Sequence, residues 1–193
     1  SLNPVLNCGY QLKECLLKKN PSLSKSLIDK KLFSILKQVD LENPKKILSS
    51  YPHELSGGQL QRILICFALI FESKLIIADE VTTALDPYVK NKILNLLKTI
   101  CNSKKISLIL ISHDISVVKN FSDEIVILKD GFIIEKGETN LIFKKPKNIF
   151  TKSLILCKPK IYNNSFFLPY LKKNIIKKEE KINFLKEIKK TII

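Results

Sequence analysis

The chain has 193 residues, of which 45% are hydrophobic, and a formal net charge of +15 at pH 7. This length allows one or two domains with a buried core. No apolar run reaches the roughly 18 residues of a membrane-spanning helix, and Pro4 and Asn7 interrupt the stretch where a secretory signal would need apolar residues. We therefore expect neither a transmembrane helix nor a signal peptide.

The basic residues and the cysteines narrow the class of protein further. Arg62 is the single arginine among 33 basic residues. Proteins that bind phosphate or nucleic acid favour the bidentate guanidinium group, so a chain this rich in lysine indicates codon bias rather than a nucleic-acid-binding surface. The five cysteines show neither a CxxC pair nor metal-ligand spacing, which indicates reduced cytosolic thiols, several of them buried.

Apolar periodicity and turn residues predict the helices in chain order. Residues 1–21 read as irregular, with room for a helix at 9–19, and residues 40–54 read as a polar loop. Ser22 and Asp86 are expected to cap the helices that follow them. The remaining predicted helices cover residues 22–39, 57–71, 87–102, 114–120, 138–143 and 148–157.

Short apolar runs predict the strands. They cover residues 75–78, 106–112, 125–128 and 132–134. The last two flank Asp130 and Gly131, a pair typical of a tight hairpin turn. Because the first two strands alternate with helices, the sequence predicts a parallel α/β sheet.

The string LSGGQLQR at residues 55–62 is the strongest chemical signal. Ser56 is a helix-capping residue type, and Gly57 and Gly58 let a ligand approach the main chain because they carry no Cβ. The first N–H groups of a helix lack intrahelical acceptors and carry partial positive charge, so this end suits a phosphate. By itself the string is equally consistent with an ordinary capped helix.

Further strings give the motif a context. They are SLNPV at 1–5, YPHELSGGQLQR at 51–62, LIIADE at 75–80, TTALD at 82–86, LILISHD at 108–114 and PKNIFTKSLI at 146–155. In this order and spacing they resemble the ATP-binding subunits of ABC transporters, and most closely the peptide and nickel importer group. The resemblance extends from Ser1 to about Leu156.

This resemblance implies an α/β fold, a P-loop NTPase of the ABC ATPase type. The implied parts are a helical subdomain over 1–70, the C-terminal half of the nucleotide-binding core over 71–145, and a Lys-rich C-terminal extension over 146–193. No GxxxxGKS or GxxxxGKT phosphate loop and no methionine occur in the sequence. We therefore expect an N-terminally truncated chain, or the product of a split or decayed gene, with uncovered strand edges that make it fold poorly alone.

The resemblance also implies roles for residues 56–59, which we call the signature; the helix that they begin is called the signature helix. Ser56, Gly57, Gly58 and Gln59 would close over ATP that is held by the phosphate loop of an opposing subunit. Asp86 would contact that subunit, would cap its own helix, or would do both.

A second group of residues would carry the hydrolytic chemistry that the resemblance implies. Asp79 would reach Mg²⁺, Glu80 would be the general base for the attacking water, and His113 would contact the γ-phosphate. The sequence places Glu80 in a different direction from Asp79 because side chains alternate along a strand. His53 is expected to be structural, and Val81 departs from the usual Pro or small residue, which weakens the case for activity only slightly.

The resemblance implies ATP and Mg²⁺ as cofactors and several protein partners. These are a second ABC ATPase subunit, identical or different, two transmembrane permease subunits that seat near residues 1–40, and indirectly a substrate-binding protein. The expected location is peripheral, at the cytoplasmic face of the membrane, and no nucleic-acid partner is expected.

Two other functions stay open at the level of sequence. One is a non-catalytic remnant that donates only its signature half-site to a partner ATPase. The other is a soluble ABC ATPase of translation or DNA repair, although paired cassettes and coiled-coil insertions are not seen. The 14 lysines and three glutamates of residues 144–193 indicate first a solvated extension, with an anionic membrane surface and nucleic acid as alternatives.

Overall fold

A computed structural model describes residues 2–83 and 85–156, and the chain divides into two compact units, Ser1–Ile111 and Ser112–Ile193. The predicted boundaries near residues 70 and 145 stay a prediction. From residue 157 onward, the predicted Lys-rich extension lies outside the described residues. Within the described ranges, no helix is both long and apolar enough to cross a membrane.

The first unit combines helices with a pair of parallel strands. Its elements are α1 (Cys8–Lys19), α2 (Lys25–Gln38), α3 (Pro44–Ser49), α4 (Gly57–Phe71), β1 (Leu75–Asp79), α5 (Pro87–Lys104) and β2 (Ser107–Ile111). A short 3₁₀ helix at Pro52–Glu54 precedes α4. Strands β1 and β2 pair in parallel, with Ile77 opposite Ile109. The predicted parallel pair is therefore confirmed, as are the bounds predicted for α4.

Side-chain caps fix where the helices begin. Ser56 and Asp86 cap α4 and α5 as predicted, and each accepts hydrogen bonds from backbone N–H groups of the first turn. The cap predicted at Ser22 is wrong, because Ser24 accepts the N–H of Leu27 instead. Ser22 lies in a turn closed by the bond from Leu23 N to Asn20 O, so it precedes the helix.

The loop predicted at 40–54 is wrong as well. It contains α3, whose first residue is Pro44, and the 3₁₀ helix that follows. Proline suits the first helical position because its missing N–H has no intrahelical acceptor there. Six residues are too few to show helical periodicity, and Ile47 is the residue of α3 that is buried.

The core of the first unit joins its helices. Fully buried side chains come from four of them and include Leu12, Leu32, Leu36, Ile63 and Ile93. Helix α1, predicted only as an option at 9–19, forms in full and contributes Leu12 on the same face as Cys8 and Leu16. Tight packing, rather than local propensity alone, therefore sets the helical layer.

The parallel pair is covered unequally. Ala78 is only 2% exposed, whereas Ile77 is 58% and Ile111 is 41% exposed. Parallel strands are normally buried on both faces. The uncovered apolar face predicted from the sequence is therefore present, while poor folding of the chain alone stays a prediction.

The second unit is built on an antiparallel hairpin. Within residues 112–156 it contains α6 (Ile115–Phe121), β3 (Glu124–Lys129), β4 (Phe132–Glu138), α7 (Thr139–Lys144) and α8 (Ile149–Leu156). Asp130 and Gly131 have φ of 51° and 79°, the left-handed conformations that a tight hairpin turn requires. Ile125, Ile127 and Ile142 form its small core.

Glu135 on β4 holds the start of α8. Its carboxylate accepts the backbone N–H groups of Lys147 at 2.8 Å and Asn148 at 3.1 Å. Partial burial raises the pKa of Glu135, but these bonds and the nearby hydroxyl of Thr151 outweigh that effect and lower it overall.

Cys66 tests the burial of α4. Burial raises the pKa of its thiol to about 12, so at pH 8 the thiolate fraction is roughly 10⁻⁴ of the total. We expect iodoacetamide at pH 8 to modify Cys66 about 10³-fold more slowly in the folded chain than in the denatured chain, as measured by mass spectrometry of peptides. Half-buried Cys15 is the internal control. Equal labelling of the two folded-state thiols would show that α4 is not seated in the core.

Glu135→Gln tests the connection between β4 and α8. Removing the charge weakens two hydrogen bonds to backbone N–H groups, so amide exchange of Lys147 and Asn148 at pH 7 should accelerate about tenfold. Because the folded-state pKa of Glu135 is lowered, its contribution to stability is present above an ordinary carboxyl pKa of about 4.3 and is lost as pH falls below it. Glu138→Gln on the same strand is the matched control, and equal exchange in both variants would refute the assignment.

Candidate functional site

Helix α4 begins with a reciprocal pair of side-chain bonds. Ser56 Oγ accepts the N–H of Gln59 at 3.3 Å, and Gln59 Oε1 accepts the N–H of Ser56 at 2.9 Å. This capping box satisfies two donors at the helix start. Among the described residues, no acceptor takes the N–H of Gly57 or Gly58. The sequence motif predicted the cap at Ser56 but not the return bond of Gln59, which the S-x-x-Q spacing could have indicated.

The glycines of the motif face the start of α5. A Cβ built on Gly57 would lie 2.9 Å from Leu85 Cδ2, and one built on Gly58 would lie 2.8 Å from Val89 Cγ1. Asp86 Oδ1 accepts the N–H groups of Tyr88 and Val89, both at 3.0 Å. The signature residues and Asp86 are therefore brought together through the packing of two helix starts.

Arg62 fixes α4 one turn further along. Its Nη1 donates to the carbonyl of Val39 at 2.5 Å and lies 3.3 Å from Asp40 Oδ2. Asp40 is in the left-handed conformation with φ of 51°, just beyond α2. The guanidinium group therefore ties the end of α2 to the signature helix, a positioning role that the sequence analysis did not assign.

Asp79 and Glu80 lie at the carboxyl end of β1. Asp79 is the last residue of the strand and is exposed. Glu80 has φ of 48°, an uncommon conformation for a residue with a Cβ, and its N–H donates to Ile111 O at 3.1 Å. Strand alternation, from which a different direction for Glu80 was expected, does not apply here, because the strand ends at Asp79 and Glu80 has left-handed backbone. The relative direction of the two side chains stays a prediction.

Thr83 holds the Glu80 carboxylate. Its hydroxyl donates to Glu80 Oε2 at 2.8 Å, and its N–H donates to Glu80 O at 3.1 Å. These bonds close a turn directly after β1. This side-chain bond gives Thr83 a role that the sequence analysis did not assign.

The two histidines belong to different units. His113 is exposed in the second unit, two residues beyond the end of β2 rather than at the strand end itself. The next residue, Asp114, caps α6 by accepting the N–H of Ser116 at 2.8 Å. His53 lies in the 3₁₀ helix of the first unit, where its ring stacks on Tyr51 with centroids 5.7 Å apart.

Asp79 is a suitable protein ligand for a magnesium ion that is also bound by nucleotide phosphates. In the described residues, no group of three or more His, Cys, Asp or Glu side chains could hold a metal ion by itself. Mg²⁺ typically takes one or two protein carboxylates and completes its shell with water and phosphate oxygens. Asp79, exposed at the carboxyl end of β1, fits that requirement.

Comparison with known proteins shows what this chain is similar to. Residues 7–83 match the ABC transporter family model. The oligopeptide transport ATP-binding protein OppD of Lactococcus lactis is 37% identical over 82% of this chain and 47% of its own length. The dipeptide transport ATP-binding protein DppD of Bacillus subtilis is 40% identical over 83% of this chain and 48% of its own length. The chain thus spans about half the length of these curated relatives.

A solved structure extends the comparison to the fold. The dimeric ATP-binding cassette MJ0796, in a post-hydrolysis state bound to ADP and Pi, superimposes with a TM-score of 0.63. It is 31% identical, over 72% of this chain and 59% of the cassette. The α/β fold of ABC ATPase type expected from the sequence is therefore confirmed. Residues 7–83 thus match the ABC transporter family, and most of the chain is similar in sequence and fold to ATP-binding proteins of that family.

Proposed function

We propose that this chain works in the ATP-hydrolysing subunit of an ABC importer for peptides. The observation that carries the proposal is the combination of a capped signature helix with the acidic pair at the end of β1, in a chain similar to OppD and DppD over more than four-fifths of its length. The same family resemblance leaves nickel as an alternative cargo. Peptide is preferred because both relatives carry peptide transport in their names.

The signature helix would receive phosphate oxygens. Gly57 and Gly58 present backbone N–H groups at the positive end of a helix, without side chains that would keep an anion at a distance. Ser56 and Gln59 already satisfy each other, so the helix start is organised before nucleotide arrives. In this proposal the ATP is held by a second ATPase subunit, identical or different, and Asp86 lies beside that contact.

The end of β1 would supply the groups for water attack. Asp79 is the residue that would hold Mg²⁺, which when bound neutralises charge on the phosphates. Glu80 would orient the attacking water and take its proton, with Thr83 fixing the direction of the carboxylate. His113 would contact the γ-phosphate.

The same proposal places the chain in an assembly. Its subunit would sit at the cytoplasmic face of the membrane against two transmembrane permease subunits, which receive substrate from a binding protein. Closure on ATP and reopening after hydrolysis would drive the permeases between their states. The relatives named as transport ATP-binding proteins support this arrangement.

ATP turnover tests the catalytic assignment. The 193 residues contain no GxxxxGKS or GxxxxGKT segment to anchor the phosphates, so we expect no turnover from the chain alone. When it is combined with a polypeptide that supplies this segment, ATPase should appear, and Glu80→Gln should lower kcat by roughly 10²–10⁴. Phosphate release is the measurement, and Glu124→Gln, at the exposed first residue of β3, is the matched control.

Two outcomes would contradict parts of this proposal. Turnover by the chain alone, abolished by Glu80→Gln, would overturn the need for a second segment. Turnover of the combined proteins that survives Glu80→Gln would remove Glu80 from the role of general base.

A further inference from the structure

Gly57 and Gly58 are constrained by packing within the chain as well as by any ligand that binds them. A Cβ at Gly58 would meet Val89 Cγ1 at 2.8 Å, and a Cβ at Gly57 would meet Leu85 Cδ2 at 2.9 Å. Both distances are shorter than real Cβ atoms tolerate, so an added methyl group must displace its neighbour. The start of α4 therefore lies as close to the start of α5 as glycine permits.

The two contacts differ in how easily they can yield. Val89 is β-branched and sits in the first turn of a helix, where its χ1 has one strongly preferred rotamer. Its backbone is fixed as well, because Asp86 Oδ1 accepts the N–H groups of Tyr88 and Val89. Leu85 precedes the helix and meets Gly57 with the far end of a flexible side chain. The contact at Gly58 is therefore the strict one.

We propose that Val89 is a positioning residue, which sets the start of the signature helix in register with the Asp86 turn by packing on Gly58. Position 58 then requires glycine for an intramolecular reason, in addition to any approach by a ligand. The functional part of this inference rests on the proposed ATPase activity, whereas the packing part rests on the geometry alone.

The geometry implies a path from one helix start to the other. Asp86 fixes the first turn of α5, that turn places Val89, and Val89 limits where Gly58 and its N–H lie. Displacing the start of α4 by a fraction of an ångström would move the N–H groups of Gly57 and Gly58 relative to Asp86. Positioning errors of about 1 Å can cost roughly 10²-fold in rate, so the packing contact has a kinetic consequence.

Exchanging side-chain size between positions 58 and 89 distinguishes two reasons for glycine at position 58, close packing against Val89 and close approach of a ligand. Gly58→Ala adds the methyl group, and Gly58→Ala with Val89→Ala adds it while removing the side chain that it meets. Val89→Ala alone completes the double-mutant cycle. Gly57→Ala is the matched comparison, because it makes the same chemical change one residue earlier against a flexible neighbour.

Two readouts apply to all variants. The first needs no nucleotide: amide exchange at Tyr88 and Val89 and the melting temperature of the chain. We expect Gly58→Ala to accelerate exchange about tenfold and to lower the melting temperature. The double variant should return to the values of Val89→Ala. Gly57→Ala should change the exchange rate and the melting temperature less than Gly58→Ala does. The second is kcat and KM of the assembled ATPase, where Gly58→Ala should lower kcat about tenfold and the double variant should recover most of it.

Each outcome decides the inference. Recovery of both readouts in the double variant supports it. Recovery of exchange without recovery of kcat would overturn the positioning role and leave ligand approach as the reason for glycine. Unchanged exchange in Gly58→Ala would overturn the packing contact itself. If the assembled parent protein shows no ATPase, the proposed function fails, and the cycle in amide exchange alone decides whether Val89 packs on Gly58.

Discussion

The start of α4 has to satisfy its own backbone and also admit a neighbouring helix. Ser56 and Gln59 meet the first demand with their reciprocal hydrogen bonds, which need no ligand. Gly57 and Gly58 meet the second, because α5 approaches so closely that a Cβ would collide with Leu85 or Val89. A helix start organised in this way loses little conformational freedom when an anion arrives, and this preorganisation favours binding.

The acidic pair depends on a different constraint, the end of the parallel strands. Glu80 adopts left-handed backbone at a cost of about 1–2 kcal/mol, and the bonds to Ile111 and Thr83 hold it there. Strain kept by surrounding hydrogen bonds is common at functional sites. Ile77 and Ile111 leave an apolar face of the same sheet exposed, whereas parallel strands are normally buried on both faces. The first unit thus holds the Glu80 carboxylate in place at the end of β1, and the apolar face of the same sheet is exposed.

The sequence predicted what local chemistry controls. The bounds of α4, the cap at Asp86, the parallel pairing of β1 with β2 and the Asp130–Gly131 turn all follow from motifs or periodicity, and the structure confirms them. It did not predict α3, which is too short for periodicity, or the left-handed conformation of Glu80, which depends on a bond to the neighbouring strand. The contact of Gly58 with Val89 joins residues 31 positions apart, so no local pattern reveals it.

The central claim is that the N–H groups at the start of α4 receive nucleotide phosphate in the assembled ATPase. Hydrogen exchange at Gly57 and Gly58, with and without MgATP, tests it most directly, because neither N–H has an acceptor among the described residues. We predict that MgATP slows exchange at both glycines by at least about tenfold while Gln59, already bonded to Ser56, changes less. Exchange rates at Gly57 and Gly58 that are the same with and without MgATP, in an assembly that hydrolyses ATP, would contradict the account.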